Sequence, residues 1–275
     1  MIAEKRSVFC KLINNSSIND EIFRLDFVWQ SSAPKAGQFF MVKPKRSAVF
    51  LARPISVANF ESDIVKFLIA RRGSGTLELA ALRSGDEAEL IGPLGNTWMD
   101  FLTTVKNGNG KPIALIGGGI GLAPLRALLY EKTGYSFDLY AGFRTGFKNP
   151  DEKAALLGPA DYKARNVIIA TEDGTEGLKG RIPDFLEPEK YAAVCACGPQ
   201  PMLKAVAAKC AATGAATGAA MGASAAVPCF ISTERRMACG TGACLGCTVK
   251  TVNGNRRCCT DGPIFKAEEV ILDDE

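Results

Sequence analysis

The sequence predicts a multidomain α+β chain: an antiparallel β-barrel or sandwich, then a doubly wound parallel α/β sheet, then a small cysteine-rich C-terminal unit. Three observations carry this. Up to residue 105, short apolar or alternating runs recur between turn signals. From residue 112 onward, strand-like and helix-like runs take turns. Finally, five of the ten cysteines fall within MACGTGACLGCTVKTVNGNRRCC, residues 237–259. A chain of 275 residues exceeds one typical domain, and the pattern divides it into units 1–105, 106–227 and 228–275.

In the first unit the runs SVFCKLI, EIFRLDFV, QFFMVK, PISVANF, IVKFLIA and EAELIG each have strand length and β-branched or aromatic content. Their separators, among them NNSSIND, SAPKAG, ESD and RSGD, are rich in turn formers. Six short strands in succession describe a small antiparallel barrel or sandwich. The polar KNGNGK at 106–111 reads as a linker. Beyond it, PIALIG, FDLYAGF, NVIIAT and YAAVCAC read as buried strands, and LAPLRALLYEK and QPMLKAVAAKC have helical spacing. Alternation of this kind builds a parallel, doubly wound sheet. The tract AATGAATGAAMGASAA at 211–226 repeats glycine every four residues, at Gly214, Gly218 and Gly222. Each interior glycine costs a helix about 1 kcal/mol relative to alanine, so a flexible or weakly helical surface insertion is expected.

Composition excludes whole chemistries. Lys and Arg number 33 against 29 Asp and Glu, a net charge of +4, scattered as on a mixed solvated surface with no long basic run for nucleic acid. The apolar run from Ile113 to Tyr130 is broken by glycines, Pro124 and Arg126, which argues against a membrane span. MIAEKRSVFCKL lacks the apolar core of a secretory signal, so a cytoplasmic protein with reduced thiols is expected. The sequence contains no histidine. A Ser-His-Asp triad, a Cys-His nucleophile pair and a His-ligated metal are therefore all impossible. What remains is movement of electrons or hydride, or binding alone; no catalytic acid–base residue is assigned.

Cys239, Cys244 and Cys247 are spaced C-x4-C-x2-C, and a fourth cysteine follows eleven or twelve residues later, at Cys258 or Cys259. This is the ligand spacing of plant-type ferredoxins, which hold a 2Fe–2S cluster. A loop that wraps a compact cluster needs a permissive backbone, which Gly240, Gly242 and Gly246 supply. Structural zinc sites favour paired C-x2-C knuckles, of which this segment has one, so iron–sulfur is preferred. In an extended segment Cys258 and Cys259 would point to opposite sides, leaving one to reach the cluster. Cys10, Cys195, Cys210 and Cys229 stand among apolar or small residues and are expected to be ordinary buried thiols.

Two further motifs carry phosphate chemistry. RPIS at 53–56 ends one strand region and GSGT at 73–76 begins a turn after the next, so Arg53 and Thr76 suit a pyrophosphate. In IGGGIGLAPLRALL a buried strand runs through Gly117, Gly118, Gly119 and Gly121 into a helix, delivering backbone N–H groups to a diphosphate. The strict G-x-G-x-x-G is not met, because residue 122 is Leu. CGPQPM at 197–202 repeats the strand-to-helix theme, where a second strand tip would approach the same ligand.

The motifs in order, RPIS, GSGT, GPLGN, GGGIGLAP, TEDG, CGPQPM and MACGTGACLGCTVK…CTDGPIF, resemble the ferredoxin–NADP reductase superfamily. Within it they are most similar to the electron-transfer subunits of NAD-dependent dihydroorotate dehydrogenase B. The resemblance implies a Greek-key FAD barrel, a nicotinamide-binding α/β domain and a C-terminal 2Fe–2S domain. It assigns FAD to Arg53, Pro54, Ile55 and Ser56, continued by Ile69, Ala70, Arg71, Gly75 and Thr76. It places NAD on Gly117, Gly118, Gly119 and Gly121, near Glu172, Cys197, Gly198 and Pro199. It selects Cys259, directly before T-D-G-P, as fourth ligand beside Cys239, Cys244 and Cys247. The partner it implies is an FMN-containing dihydroorotate dehydrogenase catalytic subunit, two of each forming a heterotetramer in pyrimidine (UMP) biosynthesis. Electrons would pass from that FMN through the cluster and FAD to NAD⁺. Two other readings compete: a related flavin/iron–sulfur NAD(P)H:ferredoxin-type subunit, and a redox-sensing binding module. The glycine-rich nicotinamide motif argues against the sensor, which needs no hydride donor. Two departures from the family stand out, a slightly short segment before GSGT and the 211–226 tract.

Overall fold

The computed structural model describes residues 6–105, 110–216 and 226–272. The first unit is a closed barrel of β1 (Arg6–Ser17), β2 (Ile22–Val28), β3 (Phe39–Pro44), β4 (Arg53–Glu61), β5 (Ile64–Ala70) and β6 (Glu87–Leu94). Its order, β1-β2-β5-β4-β3-β6, sets β6 beside β3 after the β3-β4-β5 run, which is the Greek-key return. Period-2 alternation drives it: Phe23, Leu25 and Phe27 on β2 and Val65, Phe67 and Ile69 on β5 all point inward and are buried. Trp29 meets Phe40 edge-on at 4.8 Å, and Phe40 meets Phe67 at 5.7 Å, so aromatic side chains fill the interior. Two short helices flank β6: α1 (Ser74–Ala80) and α2 (Trp98–Leu102). Thr97 caps α2 by accepting from the Asp100 N–H, and Asp100 returns the bond to the Thr97 N–H.

The second unit follows as β7 (Ile113–Gly118), α3 (Leu122–Tyr130), β8 (Phe137–Phe143), α4 (Pro150–Leu157), α5 (Ala160–Lys163), β9 (Asn166–Thr171), the two-residue β10 (Leu178–Lys179), β11 (Ala193–Cys197) and α6 (Gln200–Ala216). After it come β12 (Cys229–Ser232), the hairpin β13 (Thr248–Thr251) and β14 (Gly254–Arg257), and β15 (Ile264–Lys266). The sheet order is β10-β9-β8-β7-β11-β12-β15, parallel except for β15. Strands from the cysteine-rich segment thus extend the α/β sheet: β12 runs parallel to β11, and β15 closes that edge antiparallel. From β7 the chain winds outward through β8 and β9, then returns to β11 on the other side of β7. The switch point lies between β7 and β11. The start of α3 packs on the barrel, where Ala123 meets Ala58 and Leu68.

Residues 211–216 of the Ala/Gly tract complete α6, while 217–225 lie outside the described residues, as do 106–109 of the expected linker. Cys258 and Cys259 do not sit in an extended segment. Residues 258–261 form a turn closed by the Thr260 and Asp261 N–H groups on Arg257 O, at 3.2 and 2.8 Å. Asp261 stabilises it by accepting from the Arg257 N–H at 2.7 Å. Among the described residues no helix is long and apolar enough to cross a membrane.

Candidate functional site

One cleft of about 2360 Å³ lies where barrel, sheet and cysteine-bearing segment meet. Pockets for a single small molecule run to roughly 300–1,000 Å³, so this space accommodates more than one dinucleotide-sized ligand. From the barrel come Arg53, Pro54, Ile55 and Ser56 of β4, Ile69 and Ala70 of β5, and Gly75 and Thr76 of α1. Arg53 lies flat over Gly75: a β-carbon added there would stand 2.1 Å from Nε. RPIS and GSGT, twenty residues apart, therefore build one surface. The Thr76 hydroxyl is engaged in the turn itself, accepting from the Arg72 and Gly73 N–H groups at 2.9 and 3.2 Å. Arg71 is turned away: it donates to Asn19 O and Asp20 O and stacks on Phe23 at 5.0 Å. Its neighbour Arg72 lines the cleft instead.

The sheet contributes its switch point. Gly118, Gly119 and Gly121 line the cleft beside Cys197, Gly198 and Pro199, while Gly117 stays behind Leu122. The two loops are in contact. A β-carbon on Gly118 would press on Pro199 and Met202, and one on Gly121 would stand 2.3 Å from Cys197 O. Gly119, at φ +54, faces open space, so its backbone is bare toward the cleft. Glu172 lines it from the tip of β9. At the mouth, Arg144 pairs with Glu21 at 3.3 Å and Lys148 with Asp20, bridging the β8–α4 loop to a barrel turn.

The third component is the cysteine loop. Gly240, Gly242 and Leu245 all take positive φ, so the chain curls tightly. The curl aims N–H groups at sulfur: Cys239 Sγ accepts from Thr241 at 3.4 Å and from Cys244 at 3.5 Å. The Cys244 N–H, ahead of that of Thr241, brings the Cys239 thiol down to about 6. Cys244 is exposed and Cys247 buried. Cys259 is buried against this loop; burial and the hydrogen-bonded Cys247 thiol push it up to about 12, while the Gly242 N–H pulls the other way. Cys258 faces elsewhere, donating to Thr233 O at 3.3 Å, and burial pushes it up to about 11. Among the described residues, no three His, Cys, Asp or Glu side chains converge on a single ion. The donor set fits an iron–sulfur cluster, with sulfur ligands alone and loop N–H groups directed at one of them.

The loop is seated on the barrel. A β-carbon on Gly240 would stand 2.6 Å from Met41 Cγ, and Met41 is the register partner of Pro54. The cysteine loop is thus one strand away from RPIS. Asn96 of GPLGN locks the seat: its Nδ2 donates to Asp261 O and Ile264 O at 3.1 and 2.8 Å, and its Oδ1 accepts from the Ile264 N–H at 3.0 Å.

Residues 234–271 match the model for the iron-sulfur cluster binding domain of dihydroorotate dehydrogenase B. Over 264 residues the chain is 36% identical to the dihydroorotate dehydrogenase B (NAD(+)) electron transfer subunit of Clostridium acetobutylicum, covering 96% of this chain and 97% of that protein. The subunit of the same name from Clostridium perfringens is 37% identical over 264 residues, covering 94% and 96%. The chain belongs to the dihydroorotate dehydrogenase B electron transfer subunit family. Its fold also matches a chain of NADH-dependent reduced ferredoxin-NADP oxidoreductase, with TM-score 0.75, 24% identity and coverage of 96% of this chain and 90% of that one. A ferredoxin NADP+ reductase from Neisseria gonorrhoeae, solved with bound FAD and NADP, superposes with TM-score 0.61 at 19% identity, covering 81% and 96%.

Against this family background the structure brings together in one cleft all the sequence-assigned flavin and nicotinamide residues except Arg71 and Gly117. Sequence reasoning missed Met41, Arg72 and Asn96. GPLGN signalled Asn96 as part of a motif, and the other two sit in runs whose contacts only the tertiary structure defines.

Proposed function

We propose that this protein is the electron-transfer subunit of an NAD-dependent dihydroorotate dehydrogenase B, acting in pyrimidine biosynthesis in the cytoplasm. The observation that carries the reading is the seat of the cysteine loop on Met41, beside Pro54 of the flavin motif, at the edge of the nicotinamide cleft. FAD is held by Arg53 and the β4 and β5 edges. NAD is held by the Gly118–Gly121 turn and the Cys197–Pro199 tip, whose backbone N–H groups receive a diphosphate. Cys239, Cys244, Cys247 and Cys259 hold the 2Fe–2S cluster. Nicotinamide exchanges two electrons as hydride, a 2Fe–2S cluster exchanges one, and a flavin between them handles both. The protein's own part is placement. Met41 and Asn96 fix the cysteine loop against the flavin-binding strand, and exposed Cys244 and Leu245 leave the outer side of that loop open to a partner. No two of the ten cysteines are joined in a disulfide, which leaves Cys239, Cys244, Cys247 and Cys259 available as thiolate ligands.

The partner is an FMN-bearing catalytic subunit that oxidises dihydroorotate, two of each chain forming the holoenzyme. The three units 1–105, 106–227 and 228–275 serve FAD, NAD and cluster in turn, with β12 and β15 tying the third to the second. The test is anaerobic purification with iron. The chain should carry FAD plus two irons and two sulfides, oxidise NADH with artificial acceptors, and form orotate only when the FMN partner is added. Zinc in place of iron, FMN in place of FAD, or orotate formation by the lone chain would overturn the reading.

A further inference from the structure

We propose that the barrel turn at 19–21 sets the dinucleotide preference of the sheet beside it: Asp20 and Glu21 occupy the two cations that would take the 2′-phosphate of NADPH, and so reserve the cleft for NADH. The inference rests on the nicotinamide reading above and concerns the end of the dinucleotide that does no chemistry. The sheet order fixes where that end lies. With the diphosphate on the glycine turn after β7, one half of the dinucleotide meets the Cys197 tip of β11, and the adenosine half crosses the tips of β8 and β9. In doubly wound sheets a carboxylate in that region accepts from the free 2′-hydroxyl of NAD, whereas an arginine accommodates the 2′-phosphate of NADP. This chain carries both. Arg144 directly follows β8, Lys148 stands four residues on, and Glu172 directly follows β9; all three line the cleft. The sheet alone is therefore equipped for either dinucleotide.

The barrel decides between them. Asp20 and Glu21 line the same cleft, Glu21 pairing with Arg144 at 3.3 Å and Asp20 with Lys148. Exposed ion pairs are usually weak, because holding two long side chains in one geometry costs entropy. Here the backbone on both sides is already braced. Asn19 Oδ1 accepts from the Glu21 and Ile22 N–H groups at 2.9 and 2.7 Å, and Arg71 donates to Asn19 O and Asp20 O at 2.9 and 3.2 Å. Across the cleft mouth, Glu152 accepts from Asn19 Nδ2 at 2.6 Å and from the Lys148 N–H at 2.7 Å. Thr175 Oγ1 accepts from the Gly146 N–H at 2.7 Å, tying the same loop to the turn after β9. Two carboxylates on a fixed turn thus face two cations on a fixed loop.

A third cation lines this end, Arg181, and it pairs with Asp184 at 3.7 Å within its own turn. A 2′-phosphate brings close to two negative charges near neutral pH. To reach Arg144 and Lys148 it must displace Glu21 and Asp20, and then stand beside the carboxylates it has displaced. NADH brings a hydroxyl there instead. The carboxylate after β9 can accept from that hydroxyl while both barrel pairs stay closed. Discrimination against NADPH is therefore supplied by a unit other than the one that binds the dinucleotide.

The experiment measures oxidation of NADH and of NADPH by the FAD- and iron-loaded chain with an artificial acceptor. In the double variant Asp20→Asn, Glu21→Gln the KM for NADPH should fall roughly tenfold, as release of two exposed pairs worth a few-fold each would give. Its kcat should hold, because the change lies in binding alone, and both constants for NADH should stay as they are. The gain should shrink as salt rises, since the freed cations act on the phosphate through solvent. Adding Arg144→Ala and Lys148→Ala should abolish it. Independently of turnover, calorimetry with ADP-ribose and with its 2′-phosphate should show the double variant tightening on the phosphorylated probe only. Equal changes for both dinucleotides, an unmoved NADPH KM, or a gain that survives loss of Arg144 and Lys148 would overturn the proposal. So would a wild type that uses NADPH as well as NADH. Failure of the wild type to oxidise NADH would instead overturn the electron-transfer reading.

Discussion

Cys258 and Cys259 are adjacent and both buried, yet their thiols meet different neighbours. Cys259 touches Cys247 and the Gly242 N–H of the ligand loop, whereas Cys258 bonds Thr233. Cys259→Ser should lose most of the iron and its visible absorption while FAD stays bound, and Cys258→Ser should keep both; iron analysis and spectra decide, and the reverse pattern would move the fourth ligand. At Gly75 the argument is steric. A β-carbon there collides with a flexible side chain, Arg53, rather than with backbone, so Gly75→Ala should fold normally by circular dichroism. Displacing the guanidinium removes about one charge-assisted hydrogen bond, and FAD should bind roughly tenfold more weakly by fluorescence titration. Unchanged affinity would show that Arg53 does not hold the diphosphate. At this scale the sequence was legible where spacing carries the chemistry, as in C-x4-C-x2-C. It was illegible where two like residues stand side by side. Arg71 and Arg72 follow the end of β5, and tertiary contacts with Asn19, Asp20 and Phe23 decide which one turns from the cleft.

Among elements, the barrel was the most readable part because a half-buried strand writes its period into the sequence, as Phe23, Leu25 and Phe27 do. The role of β12 was not readable. CFIS is a four-residue run, too short to declare a partner, and its place beside β11 follows from the return of the chain across the switch point. The turn at 258–261 was misread as extended because its cause, Asp261 accepting from the Arg257 N–H, is a contact that no period announces. The tips of β7 and β11 give the prediction at this scale. Gly121 abuts Cys197 O and Gly198 Cα, which are backbone and cannot swing aside. Gly121→Val should therefore force the two loops apart, costing about 1–3 kcal/mol as overpacking does. NADH affinity should fall while FAD content holds, as equilibrium unfolding and nucleotide titration would show. Normal NADH binding would mean that the dinucleotide does not use this turn.

Across the whole molecule, the barrel and the cysteine segment are far apart in sequence, and the Asn96 side chain is one of the contacts that join them. Asn96 reaches residues 261–264 through three side-chain hydrogen bonds, and its own N–H adds a fourth contact to Gly262 O at 2.7 Å. Asn96→Ala removes the first three and leaves the last. Each net hydrogen bond is worth about 1 kcal/mol, so the variant should lose roughly 2–3 kcal/mol by denaturant unfolding. FAD and iron should both still load, because Asn96 belongs to neither ligand set. What should suffer is the fit of Gly240 on Met41, which sets the separation between cysteine loop and flavin strand. Electron passage from a dithionite-reduced cluster to FAD should then slow, while reduction of FAD by NADH, which needs only barrel and sheet, should change little. If both reactions keep their wild-type rates despite the lost stability, Asn96 only braces the fold, and the seat on Met41 is held by the apolar contacts among Phe39, Met41, Leu94 and Met237.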